Sequence, residues 1–269
     1  PTHHGALEIL YALKARVIGI PMTAEGMNLE LLERYLHTHH PKLIYSISTL
    51  HNPTGVTTSQ THRSLLLQLA QRYGCPILED NAYEGLNFEP VPAPIKALDQ
   101  QDVVTYLGTF SKTLMPGIRV GYMLVTGKHY QPLVECKLLH DYHVSTVSQA
   151  IVSEYLASGH YRRRIAHLLS KHQQSRNTML SALKRYFPSE ASWTVPNGGV
   201  FLWVQLPSNV SVSEVCQAAL SESVLVADGK WFFPDRQGYN AMRLSFPHVP
   251  EAIEQGISIL GRLLKEHLR

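Results

Sequence analysis

Asp80 is the first side chain whose position along the chain suggests chemistry. It comes directly after Glu79 at the end of the apolar run Pro76–Leu78. A carboxylate at the end of a buried strand costs roughly several kcal/mol unless it is paired, so Asp80 could bind a metal, act as a base or pair with a cationic ring nitrogen. The metal alternative is disfavoured because no second carboxylate cluster with ligand spacing accompanies Asp80. The histidines near 37–40 and 140–143 also lack a set of Cys or carboxylate ligands, so they are expected to be surface residues.

Lys112 is the second such residue, just past the end of another predicted strand. In a desolvated pocket a lysine has a lowered pKa and forms a Schiff base with carbonyls, whereas a Ser-Lys pair taken alone is typical of a surface. Here the hydroxyls of Thr109 and Ser111, the backbone N–H groups and Arg119 make a candidate phosphate cradle. A Schiff-base lysine, a phosphate cradle and an acid for a ring nitrogen together indicate pyridoxal phosphate.

Alternating strand and helix patterns must position these residues. The alternation predicts a mostly parallel sheet covered by helices, which binds ligands beyond the carboxyl ends of its strands. The polar clusters 52–55, 80–83 and 109–112 each follow a strand and should converge there. Strands are predicted at 16–20, 42–47, 76–78, 103–107 and 119–125, with helices at 5–13, after an N-cap at Asn28, and between Ser59 and Gly74.

The second half of the chain predicts a different architecture. Residues 127–186 are helical in pattern, and short strands are predicted at 199–206, 224–227 and 242–246, before a helix that starts at Pro250. We therefore predict a large cofactor-binding domain over residues 1–160. Residues 161–269 would form a linking helix and a smaller α+β domain.

The composition indicates a folded protein. Of the 269 residues 44% are hydrophobic and 17% are charged, which is enough apolar material for a sizeable core. A formal net charge of +3 is too small for binding nucleic acid by bulk charge, and Arg162–Arg164 is expected to be a solvated helix face. No apolar run approaches the roughly 18–20 residues of a membrane span. Three scattered cysteines fit a reducing compartment, so we expect a cytoplasmic protein.

Five segments together resemble the fold-type I, class I/II pyridoxal-phosphate aminotransferases. They occur in the same order and spacing over essentially the whole chain: Asn52–Gly55, Asp80–Tyr83, Thr109–Tyr122, Asn197–Phe201 and Met242–Phe246. The segment Gly108–Gly117 is most similar to the aminotransferase-like domain of MocR-type regulators of the GntR superfamily, and it also resembles stand-alone 2-aminoadipate and kynurenine aminotransferases. The resemblance implies an α/β fold with a mostly parallel central sheet flanked by helices and a smaller C-terminal α+β domain.

The resemblance also implies a role for each motif residue. Lys112 would form the Schiff base with pyridoxal phosphate and move the substrate Cα proton, while Arg243 would grip the substrate α-carboxylate. The remaining residues would surround the cofactor and the substrate: Asp80 at the ring nitrogen, Asn52 and Tyr83 at the phenolic oxygen, Thr109, Ser111 and Arg119 at the phosphate, and Gly198, Gly199 and again Asn52 beside the substrate. Taken alone, Asn52 is as typical of a turn before Pro53, Tyr83 of core packing and Arg243 of a surface strand.

Two departures from the family pattern affect the cofactor site. His3 stands where an aromatic ring usually stacks on the cofactor, and an imidazole is smaller and can be charged. The family's upstream segment, with a phosphate-binding loop and a residue that crosses the dimer interface, is not in this sequence. We therefore expect a fragment with an incomplete cofactor site, cut from a homodimeric protein.

Two functions stay open at this stage. One is a transaminase that moves an amino group between an amino acid and a 2-oxo acid. The other is a sensor that binds the cofactor or its amino-acid adduct and controls a winged helix-turn-helix domain outside residues 1–269, through which alone DNA would be bound. The regulator is favoured for the parent gene and aminotransferase-type chemistry for this piece.

Overall fold

Helices and strands alternate along the first half of the protein, whose computed structural model describes residues 1–267. The helices are α1 (His4–Ala12), α2 (Leu29–His39), α3 (Gln60–Tyr73), α4 (Ile95–Leu98), α5 (Tyr130–Asp141), α6 (Thr146–Ala157), α7 (His160–Tyr186), α8 (Val212–Ser221) and α9 (Pro250–His267). The strands are β1 (Met22–Thr23), β2 (Gly26–Met27), β3 (Ile44–Ser46), β4 (Ile77–Asp80), β5 (Val104–Thr109), β6 (Gly121–Leu124), β7 (Ser192–Trp193), β8 (Phe201–Gln205), β9 (Ala227–Asp228) and β10 (Ala241–Ser245).

The chain divides into two compact units. The central unit comprises Thr23–Thr49 and Thr57–Leu168, and the terminal unit comprises Pro1–Met22, Leu50–Val56 and the chain from Leu169 onward. Residues 1–22 and 50–56 thus group with the C-terminal part of the chain, whereas the sequence assigned them to the large domain. The functional boundary near residue 160 stays a prediction.

Hydrogen bonds between residues far apart in the chain explain why the first helix belongs to the terminal unit. The backbone N of Thr2 donates to the carbonyl oxygen of Phe232 over 2.7 Å. The Tyr11 hydroxyl donates to the carbonyl oxygen of Pro234 over 2.9 Å.

The strand predicted at 16–20 is wrong, because this segment is irregular. Gly19 lies against the ring of Pro234, a residue with no backbone N–H to donate to a neighbouring strand.

The central unit contains a four-stranded sheet in the order β3-β4-β5-β6. Strands β3, β4 and β5 are parallel, with Ile44 opposite Ile77 and Ile77 opposite Val104, and β6 runs antiparallel to β5. The three parallel strands therefore end at the same edge, as the sequence predicts. The predicted helix caps are also confirmed, since Asn28 Oδ1 accepts from the N–H of Leu31 and Ser59 Oγ from that of His62.

Two fully buried charged residues stabilise the end of β4. Arg63 on α3 donates to the carbonyl oxygens of Pro92 and Ala93 over 2.9 and 3.0 Å, and to that of Ser48 over 2.8 Å. Glu79 accepts the Ser48 hydroxyl over 2.5 Å, as well as the backbone N–H groups of Ile95 and Lys96 over 2.9 Å each. Ser48 therefore links the two charges, and the network holds β3, β4 and the start of α4 together.

The terminal unit contains an antiparallel sheet in the order β7-β8-β10-β9. In its register Arg243 lies opposite Trp203, and Ser245 lies opposite Phe201. Helix α9 begins at Pro250 as predicted and buries the side chains that the helical spacing indicates, Ile253, Ile257, Leu260 and Leu264. This is the smaller α+β architecture that the sequence predicts. The strand predicted at 224–227 is wrong except at its last residue, because residues 224–226 are irregular and β9 covers Ala227–Asp228. Within residues 1–267 no helix combines the length and apolar character needed to cross a membrane.

The buried hydrogen bonds of Arg63 generate a stability prediction. We expect Arg63→Met to lower the free energy of unfolding by about 3–5 kcal/mol, because it leaves buried carbonyl oxygens without donors. The matched control is Arg72→Met on the same helix, where the arginine forms an exposed ion pair with Glu33 at 2.7 Å. That change should cost less than about 1 kcal/mol. Urea unfolding measures both, and equal losses would contradict the assignment.

A second stability prediction concerns two glycines of α9. A Cβ on Gly261 would lie 2.5 Å from the carbonyl oxygen of Tyr186, whereas a Cβ on Gly256 would meet nothing nearer than Val224 Cγ1 at 3.8 Å. Gly256→Ala should stabilise the fold by about 0.5–1 kcal/mol through helix propensity. Gly261→Ala should destabilise it by about 1–3 kcal/mol through crowding. Thermal unfolding compares them, and stabilisation by both changes would refute the close approach.

Candidate active site

The carboxyl edge of the central sheet carries both Asp80 and the loop that contains Lys112. Strand β4 ends at Asp80, which lies opposite Leu107 of β5, and the N–H of Asn81 continues the pairing to the Leu107 carbonyl oxygen over 3.0 Å. Strand β5 ends at Thr109, and Lys112 follows three residues later. The acid and the amine therefore follow neighbouring parallel strands, as the sequence predicts for this edge.

Two donors bind the carboxylate of Asp80. The Tyr45 hydroxyl donates to Oδ2 over 2.5 Å, and the backbone N–H of Ala82 donates to Oδ1 over 3.3 Å. Burial raises the pKa of Tyr45 above its ordinary value, and the charge of Asp80 raises it further, so the phenol stays protonated. Tyr83 lies just beyond this turn and is buried. Sequence motifs missed Tyr45, since only the pairing of β3 with β4 brings it to Asp80.

Hydrogen bonds within the loop after β5 stabilise its backbone and leave the side chains of Lys112 and Arg119 accessible. Thr109 Oγ1 accepts the N–H of Ser111 over 3.1 Å and donates to the Val120 carbonyl oxygen over 3.3 Å. Arg119 adopts a left-handed backbone with φ +53°, and its guanidinium donates to the Pro116 carbonyl oxygen over 3.2 Å. Lys112 and Arg119 are both exposed. The Lys112 amine is therefore open to solvent and does not lie in a desolvated pocket among residues 1–267.

An arginine outside the predicted site supports the same loop. Arg164 on α7 donates from Nη2 to the carbonyl oxygen of Leu114 over 2.6 Å. It belongs to the run Arg162–Arg164, whose members are exposed as the sequence predicts for a solvated helix face. This hydrogen bond connects the loop after β5 to α7, and no sequence motif indicates it.

Arg243 and Asn52 form a second cluster, in the terminal unit. Arg243 Nη1 donates to Asn52 Oδ1 over 2.9 Å, and its guanidinium lies 3.8 Å above the Phe201 ring centroid and 4.9 Å from that of Phe232. Asn52 is buried and precedes a cis bond to Pro53. The aromatic rings and the amide fix the guanidinium plane, which is the arrangement that a two-pronged grip on a carboxylate needs.

His51 stabilises the turn that presents Asn52. It is buried, and its Nδ1 lies 2.8 Å from the Thr54 hydroxyl. Burial lowers the pKa of His51 to about 3, so the imidazole is neutral at ordinary pH. A neutral ring beside Asn52 adds no charge to the surroundings of Arg243.

The other predicted residues of the terminal unit have distinct backbone roles. Gly198 and Gly199 have φ values of +145° and +72°, which favour glycine, and a Cβ on Gly199 would lie 3.4 Å from Leu50 Cβ. His3 precedes α1 and is half-buried, and its ring lies so close to Gly5 that a Cβ there would be 3.0 Å from Cε1. The structure thus gives His3 and Gly199 a local contact each, and their roles toward a ligand stay predictions.

The residues of the central unit fit pyridoxal phosphate in their chemistry. The aldehyde of that group needs an accessible primary amine, its phosphate needs a cation and hydroxyl groups, and its ring nitrogen needs a carboxylate. Lys112, Arg119 and Ser111 are accessible, and Asp80 is half-buried. The loop also contains Thr113, whose buried Oγ1 has no hydrogen-bond partner among residues 1–267. Within that range no group of three or more His, Cys, Asp or Glu side chains is placed to hold a metal ion.

Comparison with known proteins gives the family. The family described as "Aminotransferase class I and II" matches residues 1–259. The aromatic-amino-acid aminotransferase 1 of Thermococcus litoralis is 36% identical over 100% of this chain and 66% of its own length. The HTH-type transcriptional regulator YisV of Bacillus subtilis is 32% identical over 93% of this chain and 51% of its own length. The chain therefore spans about two thirds of that aminotransferase and about half of that regulator.

A solved structure gives the same family and fold. The α-aminoadipate aminotransferase LysN of Thermus thermophilus, complexed with N-(5'-phosphopyridoxyl)-L-leucine, is 34% identical with a TM-score of 0.95. The comparison covers 100% of this chain and 70% of LysN. The family and this complex imply pyridoxal phosphate as the cofactor. Both kinds of relative that the resemblance indicated, aminotransferases and regulators, are thus confirmed, and the chain belongs to the class I and II aminotransferases of fold-type I.

Proposed function

We propose that this chain binds pyridoxal phosphate and transfers an amino group between an α-amino acid and a 2-oxo acid. The observation that carries the proposal is the shared sheet edge at which an acid, Asp80, and an accessible amine, Lys112, follow neighbouring parallel strands. Family membership over residues 1–259 supports it.

The central unit would hold the cofactor. When bound, pyridoxal phosphate supplies an aldehyde for covalent attachment and a ring that withdraws electrons from the substrate Cα. The Lys112 amine would carry that attachment and move the Cα proton, while Asp80 would keep the ring nitrogen protonated. The remaining contacts of the central unit would come from hydroxyl, guanidinium and aromatic groups: Thr109, Ser111 and Arg119 on the phosphate, and Tyr83 on the phenolic oxygen. For Asn52 and His3, binding to the cofactor stays a prediction from the family resemblance.

Arg243 would bind the substrate carboxylate. Relatives are named for aromatic amino acids and for 2-aminoadipate, which differ in side chain and share the α-amino acid group. A guanidinium fixed against Phe201 suits the shared group, because its planar fork matches a carboxylate with two hydrogen bonds. Gly199 would let the backbone approach the same substrate closely.

A second candidate function is effector sensing within a transcriptional regulator. The support is that regulators such as YisV match 93% of this chain while the chain spans 51% of the regulator. In that case the same residues would bind cofactor and amino acid, and DNA would be bound only through a domain outside this chain.

We propose a cytoplasmic homodimer for either function. Transamination by the full-length protein against a panel of amino acids distinguishes the two.

Lys112→Ala tests the attachment of the cofactor. We expect the variant to fold like the unsubstituted chain and to lose the visible absorbance of covalently bound pyridoxal phosphate, because no amine remains at that position. Borohydride reduction followed by peptide mass spectrometry locates the attachment. Lys128→Ala, an exposed lysine of the same unit, is the matched control and should behave like the original chain. An adduct that persists in Lys112→Ala would show that the nucleophile is another residue.

Arg243→Lys tests carboxylate binding separately. Loss of the second hydrogen bond of the fork should cost about 2–3 kcal/mol of substrate binding, which raises KM for the amino acid roughly 30–150-fold and leaves cofactor affinity unchanged. Arg236→Lys is the control, since that arginine forms an exposed ion pair with Glu8 at 2.8 Å. In a sensor without turnover, the dissociation constant of the amino acid replaces KM. Equal affinities for Arg243→Lys and Arg236→Lys would exclude the assignment.

A further inference from the structure

Tyr45 reaches the cofactor edge of the central sheet from the middle of a strand. It is half-buried on β3 and lies opposite Leu78 of β4, two residues before Asp80. Two residues of a strand rise roughly 6.6 Å, which is about the reach of a tyrosine from its Cα to its hydroxyl. Because Leu78 and Asp80 share one face of β4, the phenol runs along that face and donates to Asp80 Oδ2 over 2.5 Å.

The hydroxyl of Tyr45 is a permanent donor. Burial raises the pKa of Tyr45, and the charge of Asp80 adds to the effect. A phenol has a single O–H, and here the proton points to the carboxylate. A hydrogen bond from O–H to an ionised acid is among the stronger ones in proteins, so it restricts rotation of the Asp80 side chain.

Tyr45 and Ala82 together fix both oxygens of the Asp80 carboxylate. Tyr45 binds Oδ2 from β3, and the backbone N–H of Ala82 binds Oδ1 from the turn that follows β4. An ionised carboxylate accepts about four hydrogen bonds, so two bound donors leave capacity for a further N–H. Among residues 1–267, the bond of 3.3 Å from Ala82 is the one that would still hold the carboxylate without Tyr45.

We propose that Tyr45 is a positioning residue, which holds the Asp80 carboxylate in the orientation that accepts the ring N–H of pyridoxal phosphate. This inference rests on the proposed function, in which Asp80 pairs with that nitrogen. Tyr45 itself does not touch the cofactor in this role, and its contribution is the orientation of the acid.

The test uses two ligands that differ only at the ring nitrogen. Pyridoxal phosphate and its 1-deaza analogue, in which carbon replaces that nitrogen, are titrated into the full chain while covalent attachment is followed by absorbance. Tyr45→Phe should weaken pyridoxal phosphate about tenfold and the deaza analogue less than about twofold, because only the first ligand uses the orientation of Asp80. Tyr73→Phe is the matched control, since it removes another tyrosine-to-carboxylate hydrogen bond of the same unit, to Glu33 over 3.3 Å. It should change neither affinity.

A thermodynamic cycle with Asp80→Ala separates positioning from general damage. In that background Tyr45→Phe should weaken pyridoxal phosphate by less than about twofold, since no carboxylate remains to be oriented. Equal weakening of both ligands, or none, would overturn the role of Tyr45 while the proposed function stands. If the full-length protein forms no covalent adduct at Lys112, the proposed function fails and this inference fails with it.

Discussion

The alternation of side chains along β4 sends two neighbouring carboxylates to opposite faces of one strand. Glu79 turns inward, where Ser48 and the first N–H groups of α4 bind it. Asp80 turns to the other face and meets Tyr45. Parallel pairing with β5 then brings the loop that carries Lys112 to the same edge. The cofactor chemistry proposed for the central unit depends on this arrangement, because a shift of one residue would exchange the two acids.

The sequence was sufficient for the elements whose signals are local. Asn28 and Ser59 cap their helices through their own side chains, and the apolar spacing after Pro250 matches the buried face of α9. The common edge of β4 and β5 was also predictable, because parallel strands of an alternating α/β pattern have few possible arrangements.

The features that the sequence did not reveal depend on residues far apart in the chain. Tyr45 meets Asp80 only through the register of β3 and β4, and Arg63 reaches Pro92 and Ala93 across 29 and 30 positions. The segment at 16–20 has strand-like composition and no strand partner within residues 1–267, so propensity alone gave the wrong element. Asn52 and Arg243 are separated by 191 positions, and their hydrogen bond was not predicted, because the resemblance gave each residue a role toward a ligand and not toward the other.

At the end of β4, the charged residues that stabilise the fold are different from those proposed to bind the cofactor. The buried charges Arg63 and Glu79 are bound by several partners each, whereas Asp80 is half-buried and Lys112 and Arg119 are exposed at the edge. An enzyme and a sensor both need Asp80, Lys112 and Arg119 to hold the cofactor and Arg243 to hold the amino acid. A ligand shifts a regulator only through different affinities for its two states. Turnover requires in addition that the Lys112 amine take and return a proton within each cycle. The two functions therefore share the binding step and differ in the step after it, so the binding residues can be tested in this chain, whereas turnover has to be measured on the full-length protein.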